Sequence, residues 1–337
     1  MNRYARQEIL PWIGSKGQRC LESSTVGIAG LGALGTTCAA LLARAGVGGL
    51  ILVDRDVVEE SNLSRQTLYT EADVSGRLPK AEAAARHLLE ISSGLRLEPW
   101  IADIKSEEAT ELFLKCDLVL DGSDNFETRF LLNDAAVKAR KPWIYAGAIG
   151  EHGALMTVLP GEGPCLRCVF PNMPPMGSVP TCETAGVFGP APCAVASFQA
   201  SEALKLLIGR REKLARGFVR VNLDGPSISV TKFPRNSECP CCAMRRFDFL
   251  EERGTSTTHH LCGQDGVMVL APKGTRLDLR SLEARLRPLC DAYRNPYLIQ
   301  AELEGHKVTI YEDGRAMIQG TNDAARARAL YARYLGM

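Results

Sequence analysis

Short apolar runs alternate with longer segments of helical periodicity along the first half of the chain. The run Thr25–Ala29 leads through glycines into the helical segment Ala33–Ala45, which predicts a strand, a tight turn and a helix. Repetition of this order predicts a mainly parallel sheet with helices on both faces. The further predicted strands are Leu50–Val53, Leu118–Leu120 and Trp143–Tyr145, and the further predicted helices are Lys80–Glu90 and Phe126–Ala139.

The pattern changes beyond Gly150. Apolar positions at Ala154–Leu159 and within Phe218–Val230 predict antiparallel strands, and Ala194–Ile208 between them predicts a helix. A loop rich in proline and glycine, Pro171–Pro192, precedes that helix. The predicted fold class is therefore α/β: a Rossmann-like, doubly wound, mainly parallel sheet that antiparallel strands extend.

A charged, threonine-rich stretch, Glu251–His260, predicts a linker after a first domain of residues 1–250. Residues 261–337 then predict a small α+β unit, to which the sequence assigns no chemistry. Leucines at helical spacing in this unit favour core packing over a binding face. Its predicted elements are strands at Val267–Leu270, Tyr297–Glu302, Lys307–Tyr311 and Ala316–Gln319, and helices at Leu279–Leu289 and Asp323–Tyr334.

Composition narrows the class of protein. The 337 residues are 45% hydrophobic, enough to bury a large core. Lysine and arginine number 40 against 39 acidic residues, so no net field attracts nucleic acid or an anionic membrane, and neither is an expected partner. No segment reaches the roughly 20 apolar residues that cross a bilayer and no signal peptide is evident, so the expected location is the cytoplasm. Twelve cysteines in that location indicate reduced thiols, metal ligation or catalysis.

A glycine-rich turn marks a candidate nucleotide site. Gly30, Gly32 and Gly35 fit the pattern GxGxxG between a strand and a helix, where glycines allow close approach of the backbone to phosphate. Asp54 ends the next strand at the position where dinucleotide-binding folds place a ribose-binding carboxylate. These residues alone favour an NAD-dependent oxidoreductase.

The segment after Asp54 favours a polyphosphate ligand instead of a nicotinamide. It brings two cations and amide side chains to the carboxyl edge of the predicted sheet, where such folds bind ligands. An oxidoreductase would leave these cations without a role. No GxxxxGK[ST] motif occurs in the sequence, so the protein is not a P-loop enzyme. The candidate ligands of this segment are Asp56, Asn62, Arg65, Gln66 and Lys80.

Asp124 and Asn125 close the turn DGSDN, which follows the strand Leu118–Leu120. Because the carboxyl ends of parallel strands share one edge of the sheet, this turn adds carboxylates to the candidate site. Hard oxygen ligands of this kind suit Mg²⁺. The sequence therefore predicts a magnesium ion that carboxylates of this turn hold against the phosphates.

Two CxxC pairs predict a structural zinc site. Cys165 and Cys168 form the first pair and Cys239 and Cys242 form the second, and two such pairs complete a tetrahedral set of thiolates. Cys241 lies within the second pair and leaves its register open. These pairs also support an alternative function, a non-catalytic zinc-bearing scaffold that binds a partner protein.

Several motifs in a fixed order carry a family resemblance. They are Tyr4-Ala5-Arg6-Gln7, GLGALG, DRDVVEESNLSRQ, Pro79-Lys80, DGSDN and the two CxxC pairs. Over residues 1–250 the chain resembles the ThiF/MoeB/HesA group of adenylyltransferases, which are related to the ubiquitin-activating enzymes. Its length and terminal unit resemble the longer ThiF-type proteins of thiamin (thiazole) biosynthesis.

The resemblance implies roles for single residues in catalysis and in ATP binding. Asp54 would bind the ribose hydroxyls of ATP, and Asp124 would bind Mg²⁺. Arg6 would reach across a homodimer as an arginine finger. The residues that would hold the phosphates are Asn62, Arg65 and Lys80.

Cys182 lies in the loop that is rich in proline and glycine. Its position resembles that of the cysteine with which ThiF-type members form an acyl disulfide and ubiquitin activators form a thioester. A mobile loop suits such a nucleophile. MoeB-type relatives adenylate without this step, so the sequence leaves open whether Cys182 is catalytic or is a plain loop thiol.

The implied reaction is ATP-dependent adenylation of the C-terminal Gly-Gly carboxylate of a ubiquitin-like sulfur-carrier protein, with release of pyrophosphate, for thiamin thiazole biosynthesis. An α-carboxyl titrates near ~3.5, so the nucleophile is already ionised and needs no general base. A sulfur-donor protein is a further expected partner. The alternative is MoeB-type activation of a MoaD-like carrier for molybdopterin synthesis.

Overall fold

The computed structural model describes residues 3–175, 182–251, 258–260, 266–272 and 274–335. The chain divides into two units, Met1–Glu252 and Arg253–Met337, and each contains its own sheet. None of the helices in the described ranges is both long enough and apolar enough to cross a membrane.

Parallel pairing dominates the sheet of the first unit. Its strands are β1 (Thr25–Ala29), β2 (Gly49–Val53), β3 (Arg96–Trp100), β4 (Leu118–Asp121), β5 (Trp143–Ile149), β6 (His152–Val158), β7 (Phe218–Asn222) and β8 (Ser227–Thr231). They lie in the order β3-β2-β1-β4-β5-β6-β7-β8, parallel from β3 to β5 and antiparallel from β5 to β8. The order reverses between β1 and β4, and doubly wound folds bind ligands at the carboxyl ends of such strands.

Helices cover both faces of this sheet. They are α1 (Ala5–Glu8), α2 (Gly14–Ser23), α3 (Ala33–Ala45), α4 (Glu71–Ser75), α5 (Lys80–Ile91), α6 (Ser106–Lys115), α7 (Phe126–Ala139), α8 (Leu166–Val169), α9 (Cys182–Ala185), α10 (Pro190–Leu207) and α11 (Asp248–Glu251). Side chains of α3, α5 and α10 pack into the core on one face, and those of α6 and α7 pack into the core on the other. The predicted fold class, a mainly parallel sheet with an antiparallel extension, is confirmed.

Some elements of the first unit escaped prediction for identifiable reasons. The edge strand β3 reads Arg-Leu-Glu-Pro-Trp and is only partly buried, so it lacks the apolar run of an inner strand. The short polar helices α2 and α6 were also missed. In contrast, α10 begins at Pro190, four residues before its predicted start, because proline fits the first turn of a helix.

In its described residues the second unit forms an antiparallel sheet and two helices. Its strands are β9 (Thr258–His260), β10 (Gly266–Val269), β11 (Ala292–Arg294), β12 (Leu298–Leu303), β13 (His306–Tyr311) and β14 (Ala316–Gln319), in the order β11-β12-β13-β14-β10-β9. The helices α12 (Leu279–Leu286) and α13 (Ala324–Leu335) share one core with the sheet. Leu279, Leu282 and Leu286 are buried in it, as their spacing predicted. The prediction is wrong for Leu289, which lies beyond the end of α12 and is 66% exposed.

The predicted linker is wrong at its carboxyl end. Thr258–His260 is strand β9, and His260 pairs with Val267 of β10. These residues therefore belong to the second sheet. Residues 252–257 of the predicted linker lie outside the described residues.

Candidate nucleotide-binding site and cysteine cluster

The glycine loop between β1 and α3 packs tightly against the turn after β4. Gly30 has a φ of +95°, which favours glycine, and a Cβ atom on Gly122 would lie 2.3 Å from the Gly30 carbonyl oxygen. A Cβ on Gly35 would lie 2.0 Å from the same oxygen. At Gly32 the nearest atom would be 3.9 Å away. Packing therefore requires Gly30 and Gly35, whereas Gly32 leaves open space at the N-terminus of α3, where a phosphate is favourable.

Asp54, which follows the end of β2, binds the glycine loop through hydrogen bonds. Its Oδ2 accepts a hydrogen bond from the Leu31 backbone N–H at 2.7 Å, and its Oδ1 accepts one from the Asp56 backbone N–H at 2.8 Å. Burial raises the pKa of Asp54 above its usual value, while the nearby charge of Lys80 opposes this shift. The carboxylate thus lies directly under the glycine loop, and each oxygen keeps a lone pair for a further donor.

Lys80 places a buried cation beside the loop at the start of α5. Its Nζ lies 3.1 Å from Asp56 Oδ2. Burial alone would lower the pKa of Lys80, but the negative charges of Asp56 and Asp54 outweigh it and hold the pKa above its usual value. Lys80 is therefore charged at neutral pH.

Two residues that sequence reasoning missed complete this edge of the sheet. The Tyr69 hydroxyl lies 2.9 Å from the carbonyl oxygen of Leu31 and 3.2 Å from that of Lys80, which fixes α5 next to the glycine loop. Arg55 Nη1 lies 3.0 Å from Asp103 Oδ1. Arg55 could have been found from its place in the motif DRD, but no motif marks Tyr69.

The segment from Ser61 to Gln66 carries the predicted amide and arginine side chains. Asn62 is buried, and its Oδ1 accepts a hydrogen bond from the Glu59 backbone N–H at 3.1 Å. The half-buried Arg65 donates from Nη1 to the Ser61 carbonyl oxygen at 2.7 Å. Gln66 is buried, and its Oε1 has no hydrogen-bond partner within the described part of the chain. Gln66 is therefore a polar group with spare capacity at this site.

The DGSDN turn is anchored through its first aspartate and not through Asp124. The fully buried Asp121 accepts hydrogen bonds from the Ser123 N–H at 2.9 Å and hydroxyl at 2.6 Å, and its Oδ2 lies 3.3 Å from Arg129 Nε. Asn125 caps α7, because its Oδ1 accepts a hydrogen bond from the Thr128 N–H at 2.8 Å. Exposed Asp124 is left as the carboxylate that the turn offers to a ligand.

Asp124 belongs to the same electrostatic group as the two cations of the site. Its negative charge contributes to raising the pKa of Lys80 and of Arg55. The structure thus brings together the glycine loop and the side chains of Asp54, Lys80 and Asp124, and their roles in binding a nucleotide stay predictions.

Arg6 lies apart from this group on the surface of α1. Its neighbours hold α1 in place: Gln7 Nε2 donates to the Ala45 carbonyl oxygen at 2.8 Å, and Tyr4 packs over Gly46. The Arg6 side chain itself is exposed. Its role across a dimer stays a prediction.

Four cysteines from the two CxxC pairs form a compact cluster. Their sulfur atoms all lie within 4.8 Å of one another. The Sγ atoms of Cys165 and Cys239 are 3.6 Å apart and those of Cys168 and Cys242 are 3.5 Å apart. A tetrahedral zinc with bonds of about 2.3 Å needs sulfur–sulfur distances of about 3.8 Å, so the cluster could hold a metal ion of this kind.

Cys241 does not belong to the metal-ligating set. Its sulfur accepts a hydrogen bond from Asn133 Nδ2 of α7 at 3.2 Å. The open register of the second pair therefore resolves to Cys239 and Cys242. Asn133 Oδ1 also accepts a hydrogen bond from the Leu166 backbone N–H at 2.9 Å, which attaches the first cysteine pair to α7. No sequence motif predicted this role of Asn133.

Cys182 is the first residue of α9. The chain after α9 returns to the main sheet, since Gly150 and Val187 form a parallel bridge. A Cβ on Gly189 would lie 3.3 Å from the Ser64 carbonyl oxygen, so this segment ends beside the phosphate-binding candidates. The reactivity of Cys182 stays a prediction.

The sheet is doubly wound, and the glycine loop lies where its strand order reverses, with the cations Lys80 and Arg55 nearby. This combination defines the class of Rossmann-like nucleotide-binding proteins. Residues 4–241 match the ThiF family, and the chain belongs to that family. It is 40% identical over 336 residues to the sulfur carrier protein ThiS adenylyltransferase of Bacillus subtilis (strain 168), with 99% of each chain covered.

Two further likenesses concern the first unit more than the second. The chain is 43% identical over 248 residues to a sulfur carrier protein adenylyltransferase of Thermus thermophilus, covering 72% of this chain and 90% of the relative. The crystal structure of E. coli MccB with ATP superposes with a TM-score of 0.62 at 25% identity, covering 72% of this chain and 74% of MccB.

Proposed function

We propose that this protein uses ATP to adenylate the C-terminal Gly-Gly carboxylate of a ubiquitin-like sulfur-carrier protein, with release of pyrophosphate. The observation that carries this proposal is the group of Asp54, Lys80 and Asp124 around the glycine loop, with open space above Gly32. A relative that shares the whole length of the chain and is described as acting on such a carrier supports it.

The roles of the site residues follow from their charge and position. Asp54 accepts the ribose hydroxyls, and Asn62, Gln66, Arg65 and Lys80 surround the phosphates. Attack of the carrier carboxylate on the α-phosphorus develops negative charge on the departing pyrophosphate, which Arg65 and Lys80 stabilise. Because the carboxylate is already ionised, the chain supplies alignment and charge and no general base.

Two metal ions belong to the proposal. The exposed carboxylate of Asp124 fits Mg²⁺, which when bound would neutralise phosphate charge. The cluster of Cys165, Cys168, Cys239 and Cys242 fits structural Zn²⁺, since it offers four thiolates at tetrahedral spacing.

The finer parts of the proposal concern partners and pathway. We assign the carrier to thiamin thiazole biosynthesis, because the likeness to the B. subtilis protein includes the second unit. A homodimer would place Arg6 of one subunit at the site of the other. Sulfur transfer from a donor protein would follow adenylation, with Cys182 as the candidate thiol. The cytoplasmic location stays a prediction.

An NAD-dependent oxidoreductase is a poorer account of the same site. It would use the glycine loop and Asp54 but leave Lys80 and Arg65 without a function. A non-catalytic scaffold would explain the cysteine cluster alone.

Carrier-dependent exchange of pyrophosphate into ATP tests the proposal. The purified chain would be assayed with a thiamin-type carrier, with a molybdopterin-type carrier, and with each carrier lacking its last two glycines. We expect exchange with the thiamin-type carrier and none with the truncated forms. Exchange with the molybdopterin-type carrier alone would reassign the pathway, and no exchange with either would refute adenylation.

A further inference from the structure

Asp56 faces cations with both of its carboxylate oxygens. Oδ2 lies 3.1 Å from Lys80 Nζ, and Oδ1 lies 3.6 Å from Arg55 Nε. The side chain is only 24% exposed, so solvent screens these contacts weakly. Asp56 is therefore already engaged by protein charges before any nucleotide arrives.

The backbone of Asp56 holds the other end of the same lysine. The Lys80 backbone N–H donates to the Asp56 carbonyl oxygen at 2.8 Å, and the Val58 N–H donates to the Leu78 carbonyl oxygen at 2.9 Å. Val57 and Pro79 form an antiparallel bridge between these two bonds. One short ladder thus fixes the start of α5, while the carboxylate fixes the tip of the Lys80 side chain.

The chemistry of Asp56 suits this role better than nucleotide binding. Burial alone would raise the pKa of Asp56, but the charges of Lys80 and Arg55 outweigh it and lower the pKa. An ionised carboxylate repels the phosphates, and Asp56, unlike Asp54, already has a cation at each of its oxygens. The Lys80 ammonium has three N–H donors, so a bond to Asp56 orients it and leaves the others for phosphate oxygens.

We infer that Asp56 is a positioning residue that acts through Lys80, and not a nucleotide ligand as the sequence predicted. The test of this inference by pyrophosphate exchange rests on the proposed function, whereas the test by ATP affinity does not. Asp56 holds the ammonium where charge develops in the reaction, and cancels part of that positive charge in the resting site.

A double-mutant cycle distinguishes a residue that positions Lys80 from a residue that binds the nucleotide directly. Asp56→Ala, Lys80→Ala and the double variant would be compared with the unaltered chain for ATP affinity by calorimetry and for pyrophosphate exchange. If Asp56 acts through Lys80, Asp56→Ala lowers kcat about tenfold or more in the unaltered chain and changes the Lys80→Ala variant by less than about twofold. Losses that multiply would overturn the inference.

Asp56→Asn gives a second, charge-specific readout. The amide oxygen can still accept from Lys80 Nζ, but a negative charge near the triphosphate is gone. We expect the KM for ATP to fall and kcat to fall less than in Asp56→Ala. A rise in KM would mark Asp56 as a direct nucleotide contact.

The control is Asp117→Ala, which removes a carboxylate at the opposite edge of the sheet. Asp117 Oδ2 accepts the Thr25 backbone N–H at 2.8 Å, far from the glycine loop. Its effect should be the same in the unaltered and Lys80→Ala backgrounds. If the unaltered chain shows no exchange with any carrier, the proposed function fails, whereas the ATP-affinity cycle still decides the inference about Asp56.

Discussion

The nucleotide edge of the first sheet and the four-cysteine cluster are both polar sites, but they are stabilised in different ways. At the edge, Asp54 takes two backbone N–H donors and Lys80 is paired with Asp56, so the fold satisfies these groups without a ligand. In the cluster, the sulfur atoms lie mainly against each other. Thiols are weak hydrogen-bond donors, and four thiolates at this spacing would repel one another unless a cation such as the proposed Zn²⁺ offset their charge. Changes at the edge should therefore reduce activity, and changes in the cluster should reduce stability.

The largest effect is expected from Arg65→Ala. In the proposed reaction Arg65 stabilises the departing pyrophosphate, so its loss should lower exchange about 10² to 10³-fold. Because the Arg65 guanidinium bonds to the carbonyl oxygen of nearby Ser61, in its own segment, the melting temperature should change little. Exchange kinetics and thermal melting test this, with Arg19→Ala, at an exposed position of α2, as the control that should preserve both. Loss of folding in Arg65→Ala would remove the contrast between the two regions.

The complementary change is Cys165→Ser in the cluster. We expect the purified protein to contain about one zinc per chain, and this variant to lose it and to melt at a lower temperature, since structural zinc contributes directly to folding free energy. Metal analysis and thermal melting measure both effects. Cys241→Ser is the matched control and should keep the zinc, because Asn133 can still donate to the serine hydroxyl. A folded, metal-free protein would refute the zinc site.

The two regions also differ in how far the sequence predicted them. Glycines, Asp54 and Lys80 stand in motifs whose spacing reflects local strand, turn and helix geometry, so their common location followed from the strand order alone. Tyr69 and Asn133 contribute hydrogen bonds across the tertiary structure, and no local pattern encodes such partners. For the same reason only the fold could decide that Cys241 faces α7.

The sequence was least informative where polar residues form regular structure. Strand β3 carries arginine, glutamate and proline, and β9 lies in a stretch whose composition is that of a linker. Both lie at the end of the strand order of their sheets, a position where charged residues and proline are common because they discourage pairing with another chain. At Asn125 the fold adds a role that the motif did not predict, since its Oδ1 caps α7, while its contact with a nucleotide stays a prediction.

A smaller effect is expected from Tyr69→Phe, which tests how rigid the nucleotide edge is. The change removes the hydroxyl that lies between the Leu31 and Lys80 carbonyl oxygens and should cost about 1 kcal/mol of stability. Exchange should fall about threefold, because α5 and the glycine loop lose a shared contact. Tyr331→Phe removes a hydroxyl bonded to the Gly314 carbonyl oxygen in the second unit and is the matched control. If both variants reduce exchange equally, the contact of the Tyr69 hydroxyl with Leu31 and Lys80 has no specific role in the nucleotide site.

The smallest effect on exchange is expected from Cys182→Ser, which separates adenylation from thiol chemistry. The nucleophile of adenylation is the carrier carboxylate, and a thiol can act only on the adenylate once it has formed. Exchange should therefore stay within about twofold of the unaltered chain, since Arg65 and Lys80, the cations proposed to stabilise pyrophosphate, are unchanged. Sulfur transfer to the carrier, measured by mass spectrometry with a sulfur donor present, should fall if Cys182 forms the covalent link. Loss of exchange itself would show that the loop bearing Cys182 shapes the nucleotide edge, and that the two steps share one set of residues.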